Sequence, residues 1–210
     1  MPDPQDIQDI CSRLDRGEID RTQFLEAFTL EMATLIGCSR AGVWMFIDTV
    51  DGRALRCMAM YDRVRDHMVE ATDMATAHAG LYFDALSSEG WVVAPDARTH
   101  PATQAFLDTY LLPLDIHSVL DVSFSVNGVM FGIFSCEQVG APVKWTQRQL
   151  QWLRQIGSRA SLTLLNAATA QADTDMDMLW APSSPNRLRT LPAPLEADDP
   201  EPDRRGGDAA

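Results

Sequence analysis

The sequence lacks the features that mark several classes of protein. No apolar run reaches 18 residues, so no segment is typical of a membrane-spanning helix, and the acidic N-terminus lacks the apolar core of a secretory signal. Basic side chains are scarce, 17 against 30 acidic ones, and give a net charge of −13. Because nucleic acids and anionic membranes are bound by clustered Lys and Arg, this balance argues against both as partners.

The four cysteines are widely spaced and form no Cys-x-x-Cys pair. This spacing excludes a zinc ribbon and gives no disulfide framework, so buried thiols in a reducing compartment are expected. Together with the missing signal segment, it predicts a cytoplasmic protein. The residues concerned are Cys11, Cys38, Cys57 and Cys136.

Motifs of common catalytic sites are also missing. There is no Gly-x-Ser-x-Gly nucleophile motif, no His-Glu-x-x-His metal motif and no Gly-rich phosphate loop. The four histidines, His67, His78, His100 and His117, lack the spacing of paired metal ligands. The sequence therefore predicts no metal site and no enzyme, and it leaves the cofactor unknown.

Composition divides the chain into three parts. Residues 1–19 form a short lead with one short helix, and residues 20–169 form a single folded domain. Residues 170–210 are rich in Pro and acidic side chains and poor in large apolar ones, which predicts a disordered tail. The apolar cluster Met176–Trp180 is either a random local composition or a short motif that docks on a partner or on the domain itself.

Local signals predict an α+β domain. Asp20 and Gln23 have the spacing of a capping box, and Gly37 is a typical helix C-terminal residue. Asp51-Gly52 and Asn127-Gly128 predict two hairpin turns. Gly132, in the middle of a strand, predicts a close approach to the backbone.

The full set of predicted elements has the order α-β-β-α-β-α-β-β-α, which is typical of an antiparallel sheet with helices packed on it. In the second strand, Leu55, Cys57, Ala59 and Tyr61 are predicted to share one face. The predicted elements are a helix from Asp20 to Ile36, strands at 43–47 and 53–61, a helix at 77–86, a strand at 91–93, a helix from Pro101 to Leu112, strands at 118–125 and 129–137, and a helix from Thr146 to Ala168.

Several spaced motifs in this order resemble a GAF domain of the subtype found in bacterial sensor kinases and diguanylate-cyclase-linked receptors. The similarity covers residues 20–168 and is most specific between Asp96 and Trp145. The stretches that carry it are Tyr82-Phe83, Val92–Arg98, Phe106-Leu107, Tyr110-Leu111, Pro113–Ile116, Leu120-Asp121, Asn127-Gly128, Gly132, Cys136-Glu137 and Trp145-Thr146.

The resemblance implies an antiparallel sheet with the terminal helices on one face and a ligand cavity on the other. It implies a sensory module that binds a small, unidentified molecule and signals through protein contacts. No histidine-kinase, GGDEF, EAL or helix-turn-helix segment follows, so a stand-alone module with a separate signalling partner is expected. The residues that the family's layout places around the cavity are Tyr82, Phe83, Asp96, Phe106, Tyr110, His117, Ser118, Asp121 and Cys136.

The same resemblance implies a homodimer formed through the terminal helices. Leu25, Met32 and Ile36 on the first helix, with Leu162 and Leu165 on the last, are candidates for the apolar face that such a dimer needs. An alternative function is a ligand-free dimerisation scaffold. A further alternative is a thiol enzyme that reduces free methionine sulfoxide, although the cysteine-bearing loop of that class is absent between Trp91 and His117.

Some assignments stay open at this stage. Asp121 interrupts an apolar strand, so it either contacts the ligand or bonds neighbouring groups and holds the fold. Arg98 is the expected charge partner of Asp96, and His117 is the candidate for an axial haem ligand. Covalent attachment of a bilin is not expected, because no cysteine lies between Asp96 and Val119, and the signature of cyclic-nucleotide GAF domains is absent.

Overall fold

A computed structural model describes residues 4–171 of the chain, except residues 51, 77 and 128. Leu165 keeps its place in a helix, but its side chain is not described. The segment Met176–Trp180 and all but the first residues of the predicted tail lie outside the described part.

The described chain forms one antiparallel sheet in the order β3-β2-β1-β7-β6-β5, with β4 also paired to β2. This architecture confirms the α+β prediction. The strands are β1 Arg40–Thr49, β2 Gly52–Asp62, β3 His67–Met68, β4 Met74–Ala75, β5 Trp91–Ala94, β6 Ile116–Val126 and β7 Val129–Val139. The α-helices are α1 Pro4–Asp15, α2 Arg21–Ile36, α3 Gly80–Ser88 and α4 Gln147–Gln171.

Helices α1, α2 and α4 pack on one side of the sheet, which we call the helix face. The capping box of α2 is formed, with Asp20 Oδ1 accepting from the Gln23 amide at 2.9 Å, and Gly37 ends the helix at φ 75°. Leu25, Met32 and Ile36 are all buried against the sheet. They are therefore not available as a second apolar face, which corrects that part of the dimerisation argument.

The predicted alternation along β2 is wrong beyond its middle, because a bulge changes the register. Val43 of β1 pairs with Ala59, but the next residue, Trp44, pairs with Cys57. The extra residue between them reverses the side-chain direction. Met60 consequently packs with Leu55 on one face, whereas Tyr61 belongs to the core of the helix face.

The backbone of β1 closely approaches Gly132 in β7, as the sequence predicts. A Cβ atom at this position would stand only 1.9 Å from the carbonyl oxygen of Trp44. No side chain other than hydrogen fits there, so this glycine sets the spacing of the two central strands.

The opposite side of the sheet, which we call the pocket face, is covered by α3 and by residues 101–111. Residues 101–111 are not the α-helix that the sequence predicts. They form a 3₁₀ segment, Pro101–Phe106, followed by a π-helical turn, Leu107–Leu111. The 3₁₀ segment begins with Pro101, whose fixed φ suits a first helical position. His100 caps it, because its Nδ1 accepts a hydrogen bond from the Ala102 amide. Short π-helical turns occur frequently at functional sites.

Candidate functional site

Aromatic side chains fill most of the space between the pocket face and its cover. Trp44 of β1 meets Tyr110 of the π turn edge-on, with ring centroids 5.7 Å apart. Tyr82 of α3 meets Phe106 in the same way at 5.2 Å. Each pair joins an element of the sheet or of α3 to residues 101–111, so the cover is held by ring contacts whose edge-on geometry is favourable.

Two carboxylates lie beneath these rings and accept hydrogen bonds from them. The hydroxyl of Tyr82 donates to Asp121 Oδ2 at 2.6 Å, and that of Tyr110 donates to Glu137 Oε1 at 2.7 Å. Both carboxylates are buried in the middle of the sheet, on β6 and β7. Burying a charged carboxylate costs free energy unless the group is paired. The hydrogen bonds from the two tyrosines therefore stabilise this polar centre.

The electrostatics of the two carboxylates differ. Burial raises the pKa of Asp121 to about 7, although the neighbouring hydroxyls of Ser135 and Tyr82 partly offset this effect. Burial also raises the pKa of Glu137, but Arg40 and Tyr110 oppose the shift. Arg40 Nη1 lies 3.3 Å from Glu137 Oε2, and both side chains are buried. With a pKa of about 7, Asp121 changes its charge near neutral pH.

The two phenols stay protonated. Burial raises the pKa of Tyr82 and of Tyr110 well above the ordinary value, and the adjacent carboxylates raise both further. Their hydroxyl protons therefore remain available as donors to the carboxylates at any physiological pH.

Two spaces adjoin this polar centre. A small void of about 20 Å³ is bordered by Trp44, Tyr82, Tyr110, Asp121, Ser135 and Glu137, with apolar side chains around them. An open groove of about 890 Å³ runs between the β2–α3 connection and residues 105–115. The charged and titratable side chains that line the groove are Arg40, Asp62, Arg65, Glu70, Asp73, His78 and Asp115.

Met74 and Tyr110 border both spaces. They therefore form a shared wall between the open groove and the void. A groove of this volume lies within the usual range for small-molecule sites, roughly 300–1,000 Å³.

Four of the predicted site residues come together at the void: Tyr82, Phe106, Tyr110 and Asp121. Phe83 lies next to this group and packs on Phe46 with ring centroids 5.2 Å apart, but it does not border the void.

The other predicted site residues lie elsewhere. Ser118 is buried in a structural role, since its hydroxyl donates to the Pro95 carbonyl at 2.6 Å and accepts from the Val143 amide at 2.8 Å. Cys136 points to the helix face and belongs to the core there. Its assignment to the cavity is corrected, because neighbouring residues of a strand face opposite sides and Glu137 takes the pocket side.

Asp96, in a loop, and His117, the second residue of β6, border neither space. Asp96 is exposed, and its side chain accepts from the backbone amide of Arg98 at 3.1 Å. The Arg98 guanidinium instead bonds Asp115 at 2.7 Å, so the expected Asp96–Arg98 charge pair is wrong. His117 Nε2 lies 3.1 Å from the same Asp115.

Sequence reasoning missed Arg40, Trp44, Ser135 and Glu137. One signal could have found two of them: Ser135 and Glu137 alternate with Phe134 and Cys136 in a strand otherwise rich in apolar residues. A polar face of that kind, opposite Asp121 on the neighbouring strand, indicates a polar pocket rather than a solvent-facing edge, because the strand is central. Arg40 carries no such signal, since it stands at the first position of its strand.

All four cysteines are free thiols. Burial raises the pKa of Cys57 to about 12, and burial with the neighbouring Cys38 raises that of Cys136 well above its ordinary value. Burial also raises the pKa of Cys11. Protonated thiols of this kind are poor nucleophiles and poor metal ligands.

The described residues contain no cluster of three or more side chains suited to a metal ion. Within the same part of the chain, no helix has the length and apolar character needed to cross a bilayer.

Comparison with known proteins gives a family and a fold. The profile of the GAF domain matches residues 20–164, and no curated protein matches the chain. A GAF domain of the cyanobacteriochrome TePixJ is similar at TM-score 0.54 and 21% identity, covering 70% of this chain and 91% of its own.

Two further structures of similar fold carry a chromophore. The phycoerythrobilin-bound GAF domain of a cyanobacterial phytochrome has a TM-score of 0.64 at 12% identity, covering 80% of this chain and 96% of its own. A biliverdin-bound protein in its far-red absorbing dark state has a TM-score of 0.59 at 12% identity, covering 77% and 98%.

Proposed function

The chain belongs to the GAF domain family, and from this we propose that it is a sensory module that binds a small molecule on its pocket face and signals through protein contacts. The observation that carries the proposal is the buried polar centre of Asp121 and Glu137 beside a groove of about 890 Å³. A domain that served only as a scaffold would gain nothing from burying two carboxylates next to a void, since apolar packing would be more stable.

A linear tetrapyrrole, as carried by two of the structural neighbours, does not fit beneath the cover of this chain. The accessible space there is about 20 Å³, and aromatic side chains occupy the rest. Among the described cysteines, the one nearest the pocket face, Cys57, is held protonated by burial, which raises its pKa to about 12. We therefore propose a smaller ligand, whose bulk lies in the groove.

Signalling through a homodimer of the helix face is part of the same proposal. Leu30 on α2 and Leu162 on α4 are exposed leucines on the helices of that side. The four free thiols support a cytosolic location, because disulfides form in oxidising compartments. The alternative is a ligand-free scaffold that uses only the helix face.

Ligand binding is tested by thermal unfolding of the full chain against a panel of nucleotides, haem, a bilin and common metabolites. A ligand at 100 times its dissociation constant stabilises the folded state by about 2.7 kcal/mol. For a domain of this size, that corresponds to roughly 5–10 °C in Tm. The shift must grow with ligand concentration.

Two matched variants test whether the ligand binds on the pocket face. Tyr110→Phe removes one hydroxyl from the polar centre, whereas Tyr61→Phe removes one that bonds Asp66 on the other side of the sheet. The first change is expected to reduce the ligand-induced shift and the second to leave it intact. Absence of any stabilisation across the panel would favour the scaffold alternative.

A further inference from the structure

Three buried polar atoms around the void have no hydrogen-bond partner among the described residues. They are Trp44 Nε1, Asp121 Oδ1 and Glu137 Oε2, and each is shielded from solvent. Glu137 Oε2 faces the Arg40 guanidinium at 3.3 Å but accepts no hydrogen bond from it. One N–H donor and two carboxylate acceptors are thus left over, and all three residues border the same void.

Two further polar groups of the void are engaged, and the hydroxyl of Ser135 lies beside Asp121. The phenols of Tyr82 and Tyr110 donate to the remaining oxygens of the two carboxylates. The three atoms without a partner are one donor and two acceptors. A group that pairs with all three must supply two donors and one acceptor, whereas the Ser135 hydroxyl can serve as either donor or acceptor.

One water molecule meets this requirement in the free protein. A water needs roughly 10–15 Å³ of accessible volume and two to four polar partners, and the void offers about 20 Å³ and the three atoms named above. Such a water would donate to the two carboxylate oxygens and accept from the indole N–H.

Resting on the proposed function, we propose that this void is the anchoring subsite for a ligand with a primary carboxamide head group, which replaces the water while the rest of the ligand lies in the groove. The two N–H bonds of the carboxamide pair with Asp121 and Glu137, and its carbonyl oxygen accepts from Trp44. All three orphaned atoms are satisfied at once.

Other head groups match less well. A carboxylate would place a third acidic group beside Asp121 and Glu137, and it could pair with Asp121 only while that carboxyl is protonated. An ammonium group would leave the indole N–H without an acceptor, and a hydroxyl brings only one donor for two acceptors. The groove also disfavours anionic ligands, because it is lined by four carboxylates and two arginines.

Access requires a movement of the shared wall. Tyr110 separates the groove from the void, and one hydrogen bond, to Glu137 Oε1, holds its hydroxyl. Rotation of this side chain, with displacement of Met74, joins the two spaces without unfolding the sheet. Residues 101–111 carry Tyr110 on a π turn rather than on a regular α-helix.

The test compares three probes of one shape: benzamide, benzoate and benzylamine. Their dissociation constants are measured by ligand-observed NMR on the full chain at neutral pH. We expect benzamide to bind at least 10-fold more tightly than either of the other two. Equal binding of benzoate, or no binding of benzamide, overturns the proposal.

Variants assign the binding to the void. Trp44→Phe removes the indole donor and is expected to weaken benzamide about 5- to 10-fold, as expected for one lost hydrogen bond. Trp152→Phe, on α4 of the helix face, is the matched control and leaves the affinity unchanged. If Trp44→Phe does not fold, Asp121→Asn, which places an N–H where an acceptor is needed, must show the loss. Unchanged affinity in the variant that folds overturns the proposal.

The outcomes also separate this inference from the proposed function. If members of the metabolite panel stabilise the protein but benzamide does not bind, the carboxamide assignment fails and the sensory function stands. If neither the panel nor the probes bind, both fail. A high-resolution crystal structure of the free protein is expected to show one ordered water between the three atoms, and a dry void overturns the assignment.

Discussion

The charge of Asp121 couples the stability of the fold to pH near neutrality. Its folded-state pKa is about 7, whereas an unperturbed Asp titrates near 4. Between these values the folded state binds more protons than the unfolded chain, so the free energy of unfolding falls as the pH rises. The fall attributable to this group is at most about 4 kcal/mol, from about 1.4 kcal/mol per pKa unit.

Asp121→Asn is expected to remove this part of the pH dependence. Denaturant unfolding of both proteins from pH 4 to pH 8 gives the difference in stability at each pH. The variant should gain relative to the wild type as the pH rises from about 4 to 7, and the difference should level off above pH 7. A residual slope from Glu137, whose pKa burial also raises, remains in both proteins. A constant difference across the range would contradict a raised pKa.

The Arg40–Glu137 pair provides a second test at the scale of single residues. Arg40→Leu leaves Glu137 buried without its countercharge, which typically costs about 3–5 kcal/mol. The double variant Arg40→Leu/Glu137→Leu has no unpaired charge and is expected to regain most of that loss. Urea unfolding of the two single variants and the double variant completes a double-mutant cycle.

The exposed pair Arg16–Glu18 is the control for that cycle. Its side chains are about half exposed, so removing Arg16 is expected to leave the unfolding midpoint unchanged. If Arg40→Leu lowered the free energy of unfolding no more than the Arg16 change does, the buried pair would contribute no more to stability than the exposed one.

At the scale of elements, the junction of β1 and β7 depends on Gly132. Gly132→Ala would bring a Cβ within 1.9 Å of the Trp44 carbonyl oxygen, and the strands must separate to accept it. We expect a loss of at least about 2 kcal/mol in unfolding free energy, as for other overpacked cores.

Gly80→Ala is the matched substitution for comparison. Gly80 opens α3 and has no positive φ, and a methyl group added to it would have no atom within 4 Å. Alanine there is expected to be neutral or to stabilise by about 0.4–1 kcal/mol. Similar losses in both variants, measured by thermal and urea unfolding, would contradict the close approach of the strands.

Local signals in the sequence predicted the elements that depend on local chemistry. The capping boxes at Asp20 and Thr146 are formed, and the strands on either side of Asn127 pair as a hairpin. The bulge beside Trp44 and the π turn were not predicted. A bulge depends on how two distant strands align, and nothing within five residues of Leu107 signals a change from 3₁₀ to π geometry.

The candidate site was only partly predictable, because some of its residues carry local motifs and others depend on the pairing of distant strands. Tyr82, Phe106, Tyr110 and Asp121 were found because their motifs carry the family resemblance, and they do meet at the void. Cys136 was assigned to the wrong face of the sheet. Its neighbour Glu137 faces the pocket in its place. Arg40 and Trp44 depend on the pairing of β1 with β7, which brings Arg40 opposite Glu137 and which no local pattern encodes.

At the scale of the whole molecule, the proposed homodimer is tested on the helix face. Leu162 of α4 is 55% exposed and Leu81 of α3 is 61% exposed, but they lie on opposite sides of the sheet. Leu162→Glu is expected to shift the protein from dimer to monomer in sedimentation or light scattering, because burying a charge at an apolar contact is unfavourable. Leu81→Glu should leave the mass unchanged. A monomeric wild type at high micromolar concentration would contradict the dimer.

The position of Tyr110 between groove and void has a consequence for the speed of response. If every ligand must wait for the Tyr110–Glu137 hydrogen bond to break, the observed rate of association cannot exceed the rate of that opening. The rate should therefore rise with ligand concentration and then reach a plateau, which Trp44, in contact with the Tyr110 ring, can report by stopped-flow fluorescence. Tyr110→Phe should raise the plateau, so this one hydroxyl would set how quickly the module follows a changing signal.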